Sequence, residues 1–261
     1  MAQVPSNIVG YATKPLMEGL NMVGVNFREV GKSSGDLQKL LAPDGLVGVD
    51  WDSLDGGAQL MVWDPLIQGY PVFYSWTGAD ADTELGEVGV ANKWVDLAEF
   101  DGTAATIPVI NVSVGSAAWI LAEGVSASFT SQGEVKEDAT NVPLKTGLNM
   151  VANTLPVDVN FNNGAKIVFN GLEGVDWDSL DGGDLLMIWD ATIQGYPVFY
   201  SWTGADADTE LGEVGVANKW VDIAEFDGTA ATIPVINLPV NGAAWILRTT
   251  GTTASIDIPG L

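Results

Sequence analysis

A nonapeptide that occurs twice constrains the fold of this chain more than any other feature. Val49-Asp50-Trp51-Asp52-Ser53-Leu54-Asp55-Gly56-Gly57 returns as Val175-Asp176-Trp177-Asp178-Ser179-Leu180-Asp181-Gly182-Gly183, 126 residues later. The match continues downstream: of the 64 positions from Gly48 to Asn111, 58 are identical between Gly174 and Asn237. That period is too long for a solenoid repeat or a propeller blade. A unit of roughly 125 residues is large enough to bury its own core without staples. The chain therefore reads as two tandem, similar all-β domains, 1–134 and 135–261, related by internal duplication. Each is expected to be a β-sandwich or a partly closed barrel.

The β reading comes from short apolar runs separated by glycine turns, with little helical periodicity. Gly19-Leu20-Asn21-Met22-Val23, repeated at Gly147–Val151, predicts a buried strand opening each unit. Leu60-Met61-Val62-Trp63 and Tyr70–Trp76 predict a hairpin with a loop of about five residues. Lys93–Asp96 reads as a strand. Thr106–Val112 reads as an edge strand because of Pro108. Ala117–Leu121 predicts a central buried strand, and Ala127–Thr130, matched by Ala254–Asp257, closes each unit.

Residues 28–47 are the least repeated. Gly35–Leu41 predicts one or two helical turns capped by Asp36 or a preceding serine, whereas Asn162–Phe169 predicts turn and strand. Such variation places this region at the periphery. Glu134–Asn141, short and polar, reads as the linker and keeps the two units close.

Charge narrows the partners. The net charge is −24, and each half carries 17 acidic and 5 basic residues, so the acidity belongs to the repeated unit. Such a surface repels nucleic acid and anionic lipid and favours cations. There is no cysteine and no histidine, which removes thiolate chemistry and the commonest general base and zinc ligand. No apolar run approaches the ~20 residues of a membrane span. Met1-Ala2-Gln3 reads as a processed Ala-Gln start carrying an added methionine.

Two acidic stretches and one aromatic stretch are the candidate sites. Asp50, Asp52 and Asp55, with Asp176, Asp178 and Asp181, are candidate calcium ligands, since hard cations take six to eight oxygens. The spacing is not that of an EF-hand, and the same acids can face water while Val49 and Trp51 pack inward. Asp80, Asp82, Glu84 and Glu87, repeated as Asp206, Asp208, Glu210 and Glu213, could bind calcium, be solvated, or supply a glycosidase pair. Against catalysis, no positioned base or arginine accompanies them.

In an extended strand Tyr70, Tyr74 and Trp76 share a face, as do Tyr196, Tyr200 and Trp202, and such a face could stack on sugar rings. Core packing is the competing reading, because Trp and Tyr are mostly buried. Finally, open β edges invite pairing with another chain. An N-terminal arm over Val4–Thr13 either adds a strand to a neighbour or pairs with its own first unit.

The order of motifs resembles a family of secreted or surface bacterial β-domains of uncharacterised function. The resemblance rests on Gly19–Val23, Leu60–Trp63, Tyr70–Trp76 and Gly115-Ser116-Ala117-Ala118-Trp119-Ile120, with their second copies at Gly147–Val151, Leu186–Trp189, Tyr196–Trp202 and Gly242–Ile246. Asn7-Ile8-Val9-Gly10-Tyr11 also looks like the mature start of such proteins. It implies export and a non-enzymatic role, and supplies no active-site residues. The expected function is thus a non-catalytic extracellular or cell-surface structural protein. It would be a homo-oligomer assembling through β edges or head-to-tail contacts into a filament, layer or matrix. The alternative is a glycan-binding protein using aromatic faces.

Overall fold

The computed structural model describes residues 8–32, 34–41, 45–49, 56–64, 66–76, 92–96, 107–123, 128–175, 182–203, 218–222 and 233–258. Through these residues the chain is almost wholly β, in small antiparallel sheets. The first ten strands are β1 (Val9–Pro15), β2 (Gly19–Gly24), β3 (Phe27–Arg28), β4 (Ser34–Asp36), β5 (Gln59–Val62), β6 (Val72–Trp76), β7 (Lys93–Val95), β8 (Asn111–Ser113), β9 (Ala117–Ala122) and β10 (Ser128–Val135). They form sheets of order β2-β9-β5-β6-β7, β1-β10-β3 and β4-β8.

The next ten are β11 (Thr140–Leu144), β12 (Gly147–Ala152), β13 (Val159–Asn160), β14 (Val168–Asn170), β15 (Leu185–Ile188), β16 (Val198–Trp202), β17 (Lys219–Val221), β18 (Asn237–Leu238), β19 (Ala243–Arg248) and β20 (Ala254–Ile258). Their sheets are β12-β19-β15-β16-β17, β11-β20-β14 and β13-β18. The two five-stranded sheets share order and register: Met22 stands opposite Trp119 and Leu60 opposite Ile120, as Met150 does Trp245 and Leu186 does Ile246.

Strand β9 is buried on both faces, which explains its unbroken apolar sequence. Ala118, Ile120 and Ala122 face a core completed by Val23, Leu60, Phe73, Trp94, Phe129 and the leucines at 37, 40 and 41. Ala117 and Trp119 face the other way, into a cluster shared with Met150, Ala152, Ala243 and Trp245. Strand β19 is placed likewise, with Ala244 and Ile246 in a second core beside Val151, Leu186, Trp220 and Ile256. Each five-stranded sheet therefore packs one face on its own core and the other against its counterpart.

Several expectations are corrected. A helix, α1 (Leu37–Leu40), does form, and the Asp36 carboxylate caps it by accepting from Gln38 N at 3.1 Å. However, this segment is not peripheral, because Leu37, Leu40 and Leu41 are buried in the first core. The strand expected over Thr106–Val112 begins only at Asn111. Upstream, Ile110 N donates to Asp36 Oδ1, Ile110 O accepts from Leu37 N, and Pro108 O accepts from Gln38 Nε2. The backbone groups that a ladder would use are committed to the helix start instead, and Pro108 has no N–H to offer.

The hairpin β5–β6 closes at an Asp64–Gly69 bridge, and β6 starts at Val72, leaving Tyr70 outside it. The expected linker is shorter than Glu134–Asn141, because β10 runs through Val135 and β11 begins at Thr140. The boundary at 134/135 thus falls inside β10. From Val9 onward the N-terminal arm pairs with its own chain, Val9 opposite Glu134 through Pro15 opposite Ser128.

Candidate functional site

The aromatic residues do not line an open strand face; six of them, Trp63, Tyr70, Trp119, Trp189, Tyr196 and Trp245, meet where the two five-stranded sheets touch. Trp63 sits edge-on to Trp245, with ring centroids 4.8 Å apart, and Trp189 sits edge-on to Trp119 at 4.9 Å. These contacts are reciprocal: Trp189 is the repeat counterpart of Trp63, and Trp245 that of Trp119. Exchange of this kind defines a twofold, isologous interface. Trp63 also packs edge-on to Tyr70 at 5.1 Å, and Trp189 to Tyr196 at 4.9 Å.

The polar contacts obey the same symmetry. Leu148 N donates to Gln68 Oε1 at 3.3 Å, and Leu20 N donates to Gln194 Oε1 at 3.0 Å. Gly24 N donates to Asn241 O at 2.8 Å, and Ala152 N donates to Gly115 O at 2.9 Å. Trp119 Nε1 donates to the Tyr70 hydroxyl at 3.1 Å. Partial burial raises the Tyr70 and Tyr196 hydroxyls above their ordinary pKa, opposed by the hydrogen bonds from Trp119 and Trp245.

Of the expected sugar platform, Trp76 and Trp202 are each 1% exposed, so the residues do not present one continuous surface. Tyr74 and Tyr200 are partly buried. Tyr70 and Tyr196 keep 37% and 39% exposure, but at the seam between sheets. The expected calcium ligands Asp50, Asp52, Asp55, Asp176, Asp178 and Asp181 lie outside the described residues, as do Asp80, Asp82, Glu84, Glu87 and their second copies. Among the described residues no group of three or more acidic side chains converges to hold a metal ion.

On one side of the seam the twofold is broken, and there a cavity opens. A half-open crevice of about 330 Å³ is lined by Trp63, the turn Ser113–Ala117, β11, and Asn149–Val151. On the opposite side of the seam, the corresponding space receives two polar side chains. Lys14 Nζ donates to Met22 O at 2.7 Å, and burial lowers its pKa to about 8. Asn241, 1% exposed, donates from Nδ2 to Ala12 O and accepts from the Ser131 hydroxyl at 2.8 Å.

At the crevice, the repeat counterparts of Lys14 and Asn241 are Val142 and Gly115. Gly115 has φ +94°, and a Cβ there would stand 3.4 Å from a Val142 methyl. The tryptophans differ in step with this. Trp189 Nε1 donates to Leu20 O at 2.8 Å, whereas the buried Nε1 of Trp63 has no partner among the described residues.

Sequence reasoning places Trp63 at the end of a strand and among the unit's candidate aromatics, and does not single out Gly115 or Val142 as site residues. The signal was present as two mismatches between otherwise matching copies.

No protein-family model matches the chain, and neither a curated protein nor a solved structure matches it at a significant level.

Proposed function

We propose that this chain is a non-catalytic structural protein of the cell surface or extracellular space that associates with further copies of itself into a filament, layer or matrix. In this reading its halves are tandem β domains descended from one duplicated unit. One observation carries it: β1 is the outer strand of its sheet and presents an apolar surface. Its exposed side chains include Val9 at 63% and Tyr11 at 79%, beside Ile8 at 50%. Among the described residues nothing pairs with the outer edge of β1. An edge with free backbone donors and acceptors beside apolar side chains is a template for another strand.

The corresponding edge strand, β11, begins only at Thr140, and the repeat counterparts of Val9 and Tyr11 are Glu137 and Ala139, so it lacks that apolar surface. The contact between copies is therefore assigned to β1. The charge of −24 opposes association, and cations at the repeated aspartate stretches would relieve that repulsion. Among the described residues the displaced titrations, at Lys14, Glu29, Tyr70 and Tyr196, include no nucleophile beside a base, which supports a non-catalytic role.

The test is light scattering and electron microscopy of purified protein over a range of concentrations, with calcium and with chelator. Growth into large ordered species is the expected result. A strict monomer at high concentration in both conditions would sink the proposal.

A further inference from the structure

We infer that the crevice beside Trp63 is a binding site for one uncharged, hydroxyl-bearing ring, of the size and chemistry of a neutral sugar residue. This is separate from the assembly surface at β1 and does not depend on it.

Three observations combine. The first is charge. In a chain of net charge −24, none of the residues lining the crevice is ionisable. An ion entering it would lose water without gaining a counter-charge, which is costly. The second is the donor. Trp63 Nε1 can only donate, and it is buried without a partner among the described residues. Its counterpart Trp189 is satisfied by a backbone carbonyl. The Trp63 ring lines the crevice, and a ligand hydroxyl or amide oxygen that reached its Nε1 would supply the missing acceptor.

The third is the shape and composition of the walls. Trp63 gives an aromatic surface, Val142, Pro143 and Val151 give apolar ones, and Ser113, Ser116 and Thr140 bring hydroxyls. A mixed lining of this kind suits a ring with apolar C–H faces and polar rims. A volume of about 330 Å³ lies at the small end of ligand pockets, enough for one ring.

The symmetry shows how the site came to be open. The same backbone frame on the other side of the seam holds the Lys14 and Asn241 side chains, bonded to Met22 O and Ala12 O. Replacing them by Val142 and Gly115 empties the space while leaving the reciprocal bonds Gly24 N to Asn241 O and Ala152 N to Gly115 O in place.

The experiment is saturation-transfer NMR on the intact protein with a panel of neutral hexoses and N-acetylhexosamines at millimolar concentration, and with glucuronate as the charged control. Two variants accompany it. Val142→Lys imports the residue that fills the opposite crevice, and Trp63→Phe keeps a ring but removes the donor. Folding of each is checked by its circular dichroism and melting transition.

At least one neutral sugar is expected to show transfer, with glucuronate silent. Val142→Lys should abolish it and Trp63→Phe should weaken affinity about tenfold. Silence across the panel with folded wild-type protein would overturn the inference. So would equal transfer to glucuronate, or transfer undiminished in both folded variants.

Discussion

The guanidinium of Arg248 and the carboxylate of Asp184 form an ion pair in which both side chains are fully buried, at positions where the other copy of the repeat has Ala122 and Ala58. Asp184 also accepts from Thr249 N at 2.9 Å and from Glu173 N at 2.8 Å, so the carboxylate is held on several sides. Arg248 in turn donates to the Thr252 hydroxyl at 2.9 Å. One fold thus accommodates a buried ion pair in one place and two alanines in the equivalent place.

That relation yields the first prediction. Asp184→Ala leaves a buried guanidinium unpaired, and Arg248→Ala leaves a buried carboxylate; each should cost about 3–5 kcal/mol. The double variant reproduces the side chains of the first copy and should cost less than either single change. Urea denaturation of the three variants measures this. Additive losses would show no coupling between the two side chains and would refute the prediction.

The reciprocal tryptophan contacts predict matched energetics on the two sides of the seam. A double-mutant cycle between Trp63 and Trp245 should give a coupling of about 0.5–1.5 kcal/mol, as should one between Trp119 and Trp189. Coupling in only one pair would mean that the twofold relation does not govern the packing energy.

Close approach across the seam makes Gly24 irreplaceable. A Cβ on it would stand 2.4 Å from Gly242 O and 2.8 Å from the Ala152 Cβ. Gly24→Ala is expected to cost about 1–3 kcal/mol through forced separation of the sheets. The thermal midpoint of this variant, compared with that of the Gly24→Ala/Ala152→Gly double variant, checks the cause. Exchanging the methyl across the seam should recover part of the loss.

Lys14 predicts a pH dependence of definite sign. Its folded-state pKa, about 8, lies below the ordinary lysine value of 10.5, so between these values the unfolded chain binds more protons than the folded one. Its contribution to stability therefore rises as pH increases through that window. Tyr70 and Tyr196, raised above 10.0, act in the opposite direction at higher pH, because the unfolded chain then loses their protons first. Comparing wild type with Lys14→Met from about pH 8 to 10 isolates the lysine. The variant should show a flatter stability profile over that range; parallel profiles would refute the assignment.

For assembly, Tyr11→Lys is the most direct probe. Tyr11 is 79% exposed, so the change should leave monomer stability within about 0.5 kcal/mol while placing a charge on the edge strand. Scattering should fall relative to wild type at equal ionic strength. Unchanged assembly would move the contact away from β1.

Much of the local structure was legible because it follows from short-range rules. The runs at Gly19–Val23, Leu60–Trp63 and Ala117–Leu121 are strands in both reading and structure, and Asp36 caps α1 as its residue type suggested. The failures came where distant groups claimed the same atoms. Pro108–Ile110 has the composition of a strand, but its carbonyls and N–H groups bond to Asp36, Leu37 and Gln38, 70 or more residues earlier. The aromatic platform failed for a related reason. Alternation tells which side chains share a face, but not whether a second sheet covers that face.

The sequence by itself determined that one all-β pattern is written twice, that its strands alternate as they do, and that its exterior is strongly anionic, because these depend on residue order and composition alone. Only the tertiary structure decided that the copies face each other through Trp63, Trp119, Trp189 and Trp245. It also decided that two mismatches between the copies leave one crevice filled and the other open. The physical reason is that burial and hydrogen-bond satisfaction depend on the neighbours a residue acquires in space, and here those neighbours lie far off along the chain, as Trp245 does from Trp63 and Trp189 from Trp119.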